Sequence, residues 1–349
     1  MAIVADDRLV YAKGYGYATT RTRKRVTPTH LFRIASLSKP ITSVAILQLV
    51  EAGTLHLDDR VFGASGILKE YDRRSIADHR VLDITVQDLL NHSGGWDRDN
   101  SGDPMFDLRL TAQQQNVPLP PDQSFTINYV LSQRLDFSPG TKYAYSNFGY
   151  CLLGRIIEAV TDVSYEKYVK DQVLGKCGIR TMRIGLSNMS LPHEVSYYTE
   201  LQERFSRSAF ARKRVKTPYG GFYLEGMDSH GGWVASSVDL MKFLVRVNGQ
   251  PHRKDILRPS TMKVMTEPSP VNRNYALGWA VNVADNWWHL GSLPGASSVL
   301  ARIHDGRGWC VLLNKRSLDP NFFTELDQLM WQALEGVSFG DVDLFDRYP

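Results

Sequence analysis

Ser36 and Lys39 stand three residues apart, close to one helical turn, so a hydroxyl and an amine would share one face. A serine is a weak nucleophile until a neighbouring base takes its proton, and a lysine whose charge is disfavoured by burial is such a base. The spacing alone proves little, because Ser164 with Lys167 and Ser260 with Lys263 repeat it. Context separates the three pairs. Ser164 comes after the polar Thr161-Asp162 and Ser260 follows Pro259, so both read as N-caps of surface helices. Ser36 instead opens a segment that is apolar on nearly every face over residues 41–50, with Pro40 in its first turn, where a missing amide proton costs little. A serine at that end faces unpaired backbone N–H groups and the positive end of the helix dipole, which stabilise an oxyanion, and Lys39 is half buried in the same turn.

Two further constellations have the right chemistry. Tyr145-Ser146-Asn147 is the single Tyr-x-Asn among 16 tyrosines and lies between the turn Pro139-Gly140 and a helix beginning near Phe148. A loop tip of this kind lets a phenol relay protons and an amide hold substrate or Lys39; taken alone, it reads equally well as a tyrosine packing its loop. His289-Leu290-Gly291-Ser292 lies on a strand-like run before the turn Pro294-Gly295. Gly291 would let substrate approach the backbone, and the Ser292 amide would join that of Ser36 in an oxyanion hole. Alone, His289 reads as a hydrogen-bonded strand histidine, and His92 as a ring that holds a loop through its nitrogens.

The elements that must position these groups are legible in outline. Residues 2–17 read as two strands joined at Asp6-Asp7-Arg8, and the apolar helix 41–50 stops at Gly53. Helices are expected at 86–91, 128–134 and 148–160, with no convincing strand pair between 59 and 225. Ser236 caps a helix through Asp239, Leu240 and Phe243; strands follow at 275–283, 297–304 and 309–313, and a closing helix at 321–334. The fold class is therefore α+β: a mainly antiparallel sheet built from both chain ends and flanked by helices, with a mostly helical inserted region. On this reading 1–58 and 226–349 form the sheet domain and 59–225 the insert.

The strings FRIASLSKPIT, PGTKYAYSNFGY and HLGSLPGASS, in this order, resemble the three active-site motifs of the serine β-lactamase and penicillin-binding superfamily in its class C-like branch. The likeness extends to LLNHSGGW, GGWVASSVDLMKF and YALGWAV and so covers nearly the whole chain. It implies a β-lactamase/DD-peptidase-like fold and a serine hydrolase working through an acyl-enzyme. Ser36 would be the acylated nucleophile, Lys39 its proton acceptor, Tyr145 an acid/base and Asn147 a substrate ligand; whether Lys39 or Tyr145 takes the first proton stays open. His289 stands where the lactamases carry lysine, and Leu290 where a threonine hydroxyl often helps bind a substrate carboxylate. The site thereby loses a permanent cation, and a charged hydrogen bond is worth about 1.5–3 kcal/mol.

Composition narrows the partners. The chain has 349 residues, 43% of them hydrophobic, and a formal charge of +4. That charge gives little reason to expect nucleic acid or a membrane surface, and the basic runs Arg21 to Arg25 and Arg204 to Lys216 read as solvated loops. The expected partner is a small ester, amide or β-lactam, with oligomeric state left open. Cys151, Cys177 and Cys310 read as packed thiols. There is no 18-residue apolar run, no His-Glu-x-x-His, no Gly-x-Gly-x-x-Gly and no paired-cysteine zinc spacing, so neither a membrane span nor a metal or other cofactor is expected. The compartment is left open: as it stands the chain reads as cytoplasmic, while Met1 runs so directly into a strand that a trimmed leader stays an alternative.

An esterase or amidase, with weak penicillin binding or β-lactam hydrolysis alongside, is the first functional reading. DD-peptidase, D-aminopeptidase or acyltransferase activity is the second, and a non-catalytic structural or penicillin-sensing role the third. Trp96, Tyr219, Phe222, Tyr223 and Trp233, aromatics close to glycines, are expected to wall the cleft.

Overall fold

The computed structural model describes residues 1–71 and 76–348. Ala2–Ala5 (β1) and Arg8–Ala12 (β2) form the expected hairpin. Asp6 and Asp7 turn it with φ of 49° and 61°, the positive pair that a two-residue turn requires and that aspartate tolerates. The other strands of this sheet are Ala280–Val281 (β3), Trp287–Leu293 (β4), Ala296–Arg302 (β5) and Arg307–Leu313 (β6). Their order is β3-β4-β5-β6-β1-β2 with every neighbouring pair antiparallel, so both chain ends contribute as the sequence implies. The strand expected at 275–283 shrinks to β3, because the chain folds back on itself in a bridge between Tyr275 and Ala280.

The apolar helix is Ser38–Glu51 (α1), buried at every residue from Ser38 to Leu49. It ends in a Schellman motif: Gly53, at φ 70°, donates its N–H to the Val50 carbonyl and Thr54 donates to that of Leu49. Polar side chains on a helix this deep need partners. Thr42 Oγ1 donates to the Ser229 carbonyl at 2.6 Å and Ser43 Oγ to that of Leu277 at 2.7 Å. Against α1 packs Asn147–Thr161 (α2), whose N-cap Ser146 accepts from the Gly149 amide. Ser237–Leu244 (α3) starts from a capping box between Ser236 and Asp239 and packs on β6 and β1. The last helix, Phe322–Leu334 (α4), covers the sheet's other face and buries Met330 and Leu334 against Ile3, Val299 and Trp309. Helices on both sides explain why β1 and β5 are buried at every position and show no alternation.

Three expectations are corrected. The region 59–225 does contain strands: Arg183–Ile184 joins Trp233–Ala235, which also pairs with Phe32–Arg33, so this small sheet draws on three distant parts of the chain. Both basic runs pair their backbones, in ribbons of Phe205–Arg207 with Arg214–Lys216 and of Tyr17–Thr19 with Lys24–Arg25. Their charged side chains stay mostly solvated, and without an apolar alternation the pattern carries no strand signal. The expected helix at 128–134 lies earlier, at Gln123–Leu131, where Asp122 caps it through the Phe125 amide.

The sheet crosses the turn that leads into α1 at close range. Gly291 of β4 lies against Ile34 and Ala35, and a Cβ added to it would sit 2.2 Å from Ser298 Oγ and 2.4 Å from the Ile34 carbonyl oxygen. Those two atoms are themselves hydrogen-bonded at 2.8 Å. Gly291→Ala must therefore push the strand away from the Ser36 turn, at a cost of about 1–3 kcal/mol. A lowered thermal midpoint, with Ser298→Ala in the same background recovering part of it, is the expected result.

Candidate active site

Ser36 lies in a short 3-10 turn, Ala35–Leu37, that runs straight into α1, rather than at the first residue of the helix as expected. Ala35 before it has φ 49°, an uncommon conformation for a side-chain-bearing residue, held by the Gly291 crossing. Ser36 is half-buried and Lys39 fully buried. Lys39 Nζ has three oxygen neighbours: Asn147 Oδ1 at 2.7 Å, the His230 carbonyl at 2.9 Å and Ser36 Oγ at 3.1 Å. The two carbonyl oxygens can only accept. In the neutral amine they take both N–H bonds, and the remaining lone pair belongs to the serine hydroxyl. Burial drives the Lys39 pKa well below the ordinary lysine value, opposed by the Asp103 carboxylate and aided by the Arg98 cation.

Asn147 sits at the N-terminus of α2, and its amide is oriented by opposite partners: Oδ1 accepts from Lys39 while Nδ2 donates to Asp103 Oδ2 at 2.6 Å. Tyr145, two residues earlier, interacts through its hydroxyl with Ser36, and Lys39 Nζ lies 4.7 Å from its ring centre. Burial raises the phenol's pKa, only partly offset by Ser36 and by the Arg98 guanidinium stacked 4.7 Å from the ring, so Tyr145 stays protonated at neutral pH. Ser36, Lys39, Tyr145 and Asn147 thus converge from a turn, a helix, a loop and a second helix.

The cleft has two lobes, each of about 380 Å³, that share Ser36, Arg98 and Ser292. One is walled by Tyr143, Tyr275, Trp288, Leu290 and Phe323, the other by Asp103, Phe106, His230 and Arg316.

The family profile described as Beta-lactamase matches residues 1–333. The chain belongs to the Beta-lactamase family. As a member it is a serine hydrolase. It is similar to a penicillin-binding protein of Bacillus subtilis (strain 168), 24% identical, with 95% of this chain and 70% of that protein covered. It is also similar to Protein flp of Staphylococcus aureus (strain NCTC 8325 / PS 47), 25% identical, with 90% and 59% covered, so it spans only part of these relatives. Its fold is similar to that of the D-amino acid amidase from Ochrobactrum anthropi SV3, with a TM-score of 0.71 at 21% identity over 96% of this chain and 91% of that one.

In this family member the third motif supplies no second cation. His289 is buried, and desolvation together with the nearby Lys39 pushes its pKa down to about 3. Its ring is tied into a chain of hydrogen bonds whose direction the backbone fixes. The Ser146 amide donates to His92 Nδ1 at 3.1 Å, so neutral His92 carries its proton on Nε2. That nitrogen donates to Tyr275 Oη at 3.0 Å, Tyr275 donates to His289 Nε2 at 3.2 Å, and His289 Nδ1 donates to the Leu290 carbonyl at 2.7 Å. With both nitrogens occupied, His289 meets Ser36 only as a wall of the same lobe, with its ring centre 6.3 Å from that of Tyr145. Gly291 and Ser292 sit where the exposed edge of β4 passes Ser36, beyond Trp288, the last residue paired with β3.

The expected aromatic wall is corrected. Trp233 is core, Trp96 packs on Phe148, and Tyr219 lies over Arg33. Phe222 and Tyr223 line a neighbouring cavity that meets the cleft through Phe106 alone. The site groups that sequence reading missed are Asp103, Arg98, Tyr275 and the His230 carbonyl. Asp103-Pro104 carries a plain N-cap signal, and Asp103 does accept from the Met105 amide; nothing local marks its second partner, Asn147. Ser164 and Ser260 line neither lobe, and Ser260 is the second residue of its helix, not the cap. The three cysteines are buried and free, as expected.

Three buried neutral histidines make a pH prediction. His92, His230 and His289 all have folded pKa values pushed down by burial. Between about pH 6.5, where the unfolded chain's histidines protonate, and the lower folded value, the unfolded state binds more protons, so stability falls as pH falls. The slope is at most about 1.4 kcal/mol per pH unit for each histidine. Urea midpoints should fall more steeply per pH unit below 6.5 than between pH 8 and 7, where Lys39, neutral in the fold and protonated in the unfolded chain, already makes stability rise with pH. His289→Gln should reduce the decline below 6.5; a midpoint equal at pH 5 and 7.5 would contradict neutral burial.

Proposed function

We propose that the chain hydrolyses a small ester or amide through a covalent Ser36 acyl-enzyme. The carrying observation is the Lys39 amine, buried and saturated by two carbonyl acceptors, 3.1 Å from Ser36 Oγ. In acylation Ser36 Oγ bonds to the substrate carbonyl carbon while its proton passes to the Lys39 lone pair. The resulting oxyanion lies at the Ser36 and Ser292 amides. The bond from carbon to the leaving oxygen or nitrogen breaks, and the leaving group takes a proton from Tyr145, which Lys39 reprotonates. Water then bonds to the acyl carbon and gives its proton to Tyr145, which passes its own to Lys39; the bond from carbon to Ser36 Oγ breaks, Oγ takes the proton back from Lys39, and the acid leaves. Tyr145 suits the donor half of this cycle because its raised pKa keeps it a phenol, and Lys39 suits the acceptor half because burial disfavours its charge. His289, Tyr275 and His92 position the strand edge and the Tyr145 loop.

A second reading, hydrolysis of an amide bearing a free amino group, rests on Asp103. Its carboxylate lines the polar lobe, and a substrate ammonium there would gain a charged partner. The similar protein named a D-amino acid amidase agrees with that substrate class. A D-amino-acid amide cleaved at least tenfold faster than its N-acetyl derivative, with the preference lost in Asp103→Asn, would favour it; equal rates would remove it.

The acyl-enzyme itself is tested by intact mass after treatment with a fluorophosphonate. One adduct on the wild type and none on Ser36→Ala are expected. Lys39→Met and Tyr145→Phe should each slow ester hydrolysis by about 10²–10⁴-fold. Labelling undiminished in Ser36→Ala would overturn the assignment.

A further inference from the structure

The aromatic lobe does not end at the cleft. Trp288, Leu290 and Phe323, which wall it beside Ser36, also line a second cavity of about 270 Å³ between the outer face of the sheet and α4. Its far side is formed by Trp331, with Thr324 on the exposed helix surface between. Strand geometry makes this continuity. Trp288, Leu290 and Ser292 alternate along β4 on the face turned away from α1, so the strand that passes the nucleophile also floors the groove. Leu290 and Trp331, which line the same cavity, are each 36% exposed. The space is about twenty times what a single water needs.

Resting on the acyl-enzyme reading above, we infer that this groove holds an apolar arm of the substrate, an unbranched alkyl or aryl-alkyl chain that leaves the reacting carbonyl past Leu290 and lies between Phe323 and Trp331. A hydroxyl-bearing or charged residue in place of Leu290 would interrupt the path; leucine joins Trp288 and Phe323 in an apolar strip from the Ser36 lobe to α4, while Asn282, Asn286, Arg302 and Asp327 supply the groove's polar lining. The lobe on the other side of Ser36 mixes Phe106, Met227 and Leu293 with Asp103, Asn147 and Arg316 and is the more polar of the two. The site is thus asymmetric, with one substituent of the scissile group selected for apolar length and the other for polarity.

The test uses two series of p-nitrophenyl and alkyl esters, one lengthening the acyl group from acetyl to octanoyl, the other lengthening the alcohol of an acetate. kcat/KM should rise about two- to fourfold per methylene in one series, until the groove is filled. Thr324→Phe, which places a ring in the groove from an exposed helix position, should lower the octyl-to-methyl rate ratio of that series at least tenfold. Trp331→Ala should lower it less. The ratio within one variant cancels any change in folded fraction. A flat response in both series, or a slope that Thr324→Phe leaves untouched, overturns the groove while short esters still turn over. Absence of turnover with every ester, together with no fluorophosphonate adduct, instead removes the acyl-enzyme reading on which it rests.

Discussion

An amine taken out of water is the constraint around which this molecule is arranged. A charged ammonium at the depth of Lys39 would have to be compensated, and the two strongest partners provided are carbonyl oxygens, which accept equally well from the neutral form. The nearest carboxylate, Asp103, reaches Lys39 through Asn147 and does not touch it. That distance decides the chemistry: a direct ion pair would hold the proton on nitrogen, whereas an intervening amide gives orientation without fixing the charge. Desolvation therefore outweighs the carboxylate's attraction, and the amine is poised to take a proton instead of keeping one.

Placing that amine requires three remote segments to agree. The His230 carbonyl comes from a short helix packed on α1, Asn147 from α2, and Ser36 from a turn whose conformation the Gly291 crossing enforces. The chain of hydrogen bonds from the Ser146 amide through His92, Tyr275 and His289 to the Leu290 carbonyl ties the Tyr145 loop to the strand edge. Each member donates onward in one direction, so no ring nitrogen is left to carry charge. A lysine at position 289 could not accept from Tyr275, and the chain would break there.

Local pattern revealed what local physics controls. The buried helix, its glycine stop, the hairpin turn and the three motifs are all written in short windows, because apolar runs, positive-φ turns and the Ser-x-x-Lys spacing are properties of neighbouring residues. The family resemblance then united motifs that no spacing rule connects. Illegible were pairings made across the chain: Arg183–Ile184 beside Trp233–Ala235, and Asp103 against Asn147, whose partners lie 44 or more positions away. The expected aromatic wall failed for the same reason. Aromatics near glycines include Trp233, which is core, while the true walls, Trp288 and Phe323, sit on ordinary strand and helix positions whose direction is set by the tertiary packing of α4 against the sheet.

Substituting a neutral histidine for a cation at the third motif moves the positive charge of the cleft elsewhere. Among the described residues lining the two lobes, the remaining side-chain cations are Arg98 and Arg316. Arg316 is bound by Glu203, so its charge is already answered. Arg98 is 46% exposed and stacked on Tyr145, where solvent screens it from a distant anion but not from the phenol beneath. Its field acts on the Tyr145 phenol beneath it and, because Arg98 lines both lobes, on an anion that enters either of them. On the reading proposed above, the apolar surface of Leu290, Trp288 and Phe323 is the larger source of binding free energy for a substrate arm on that side of Ser36.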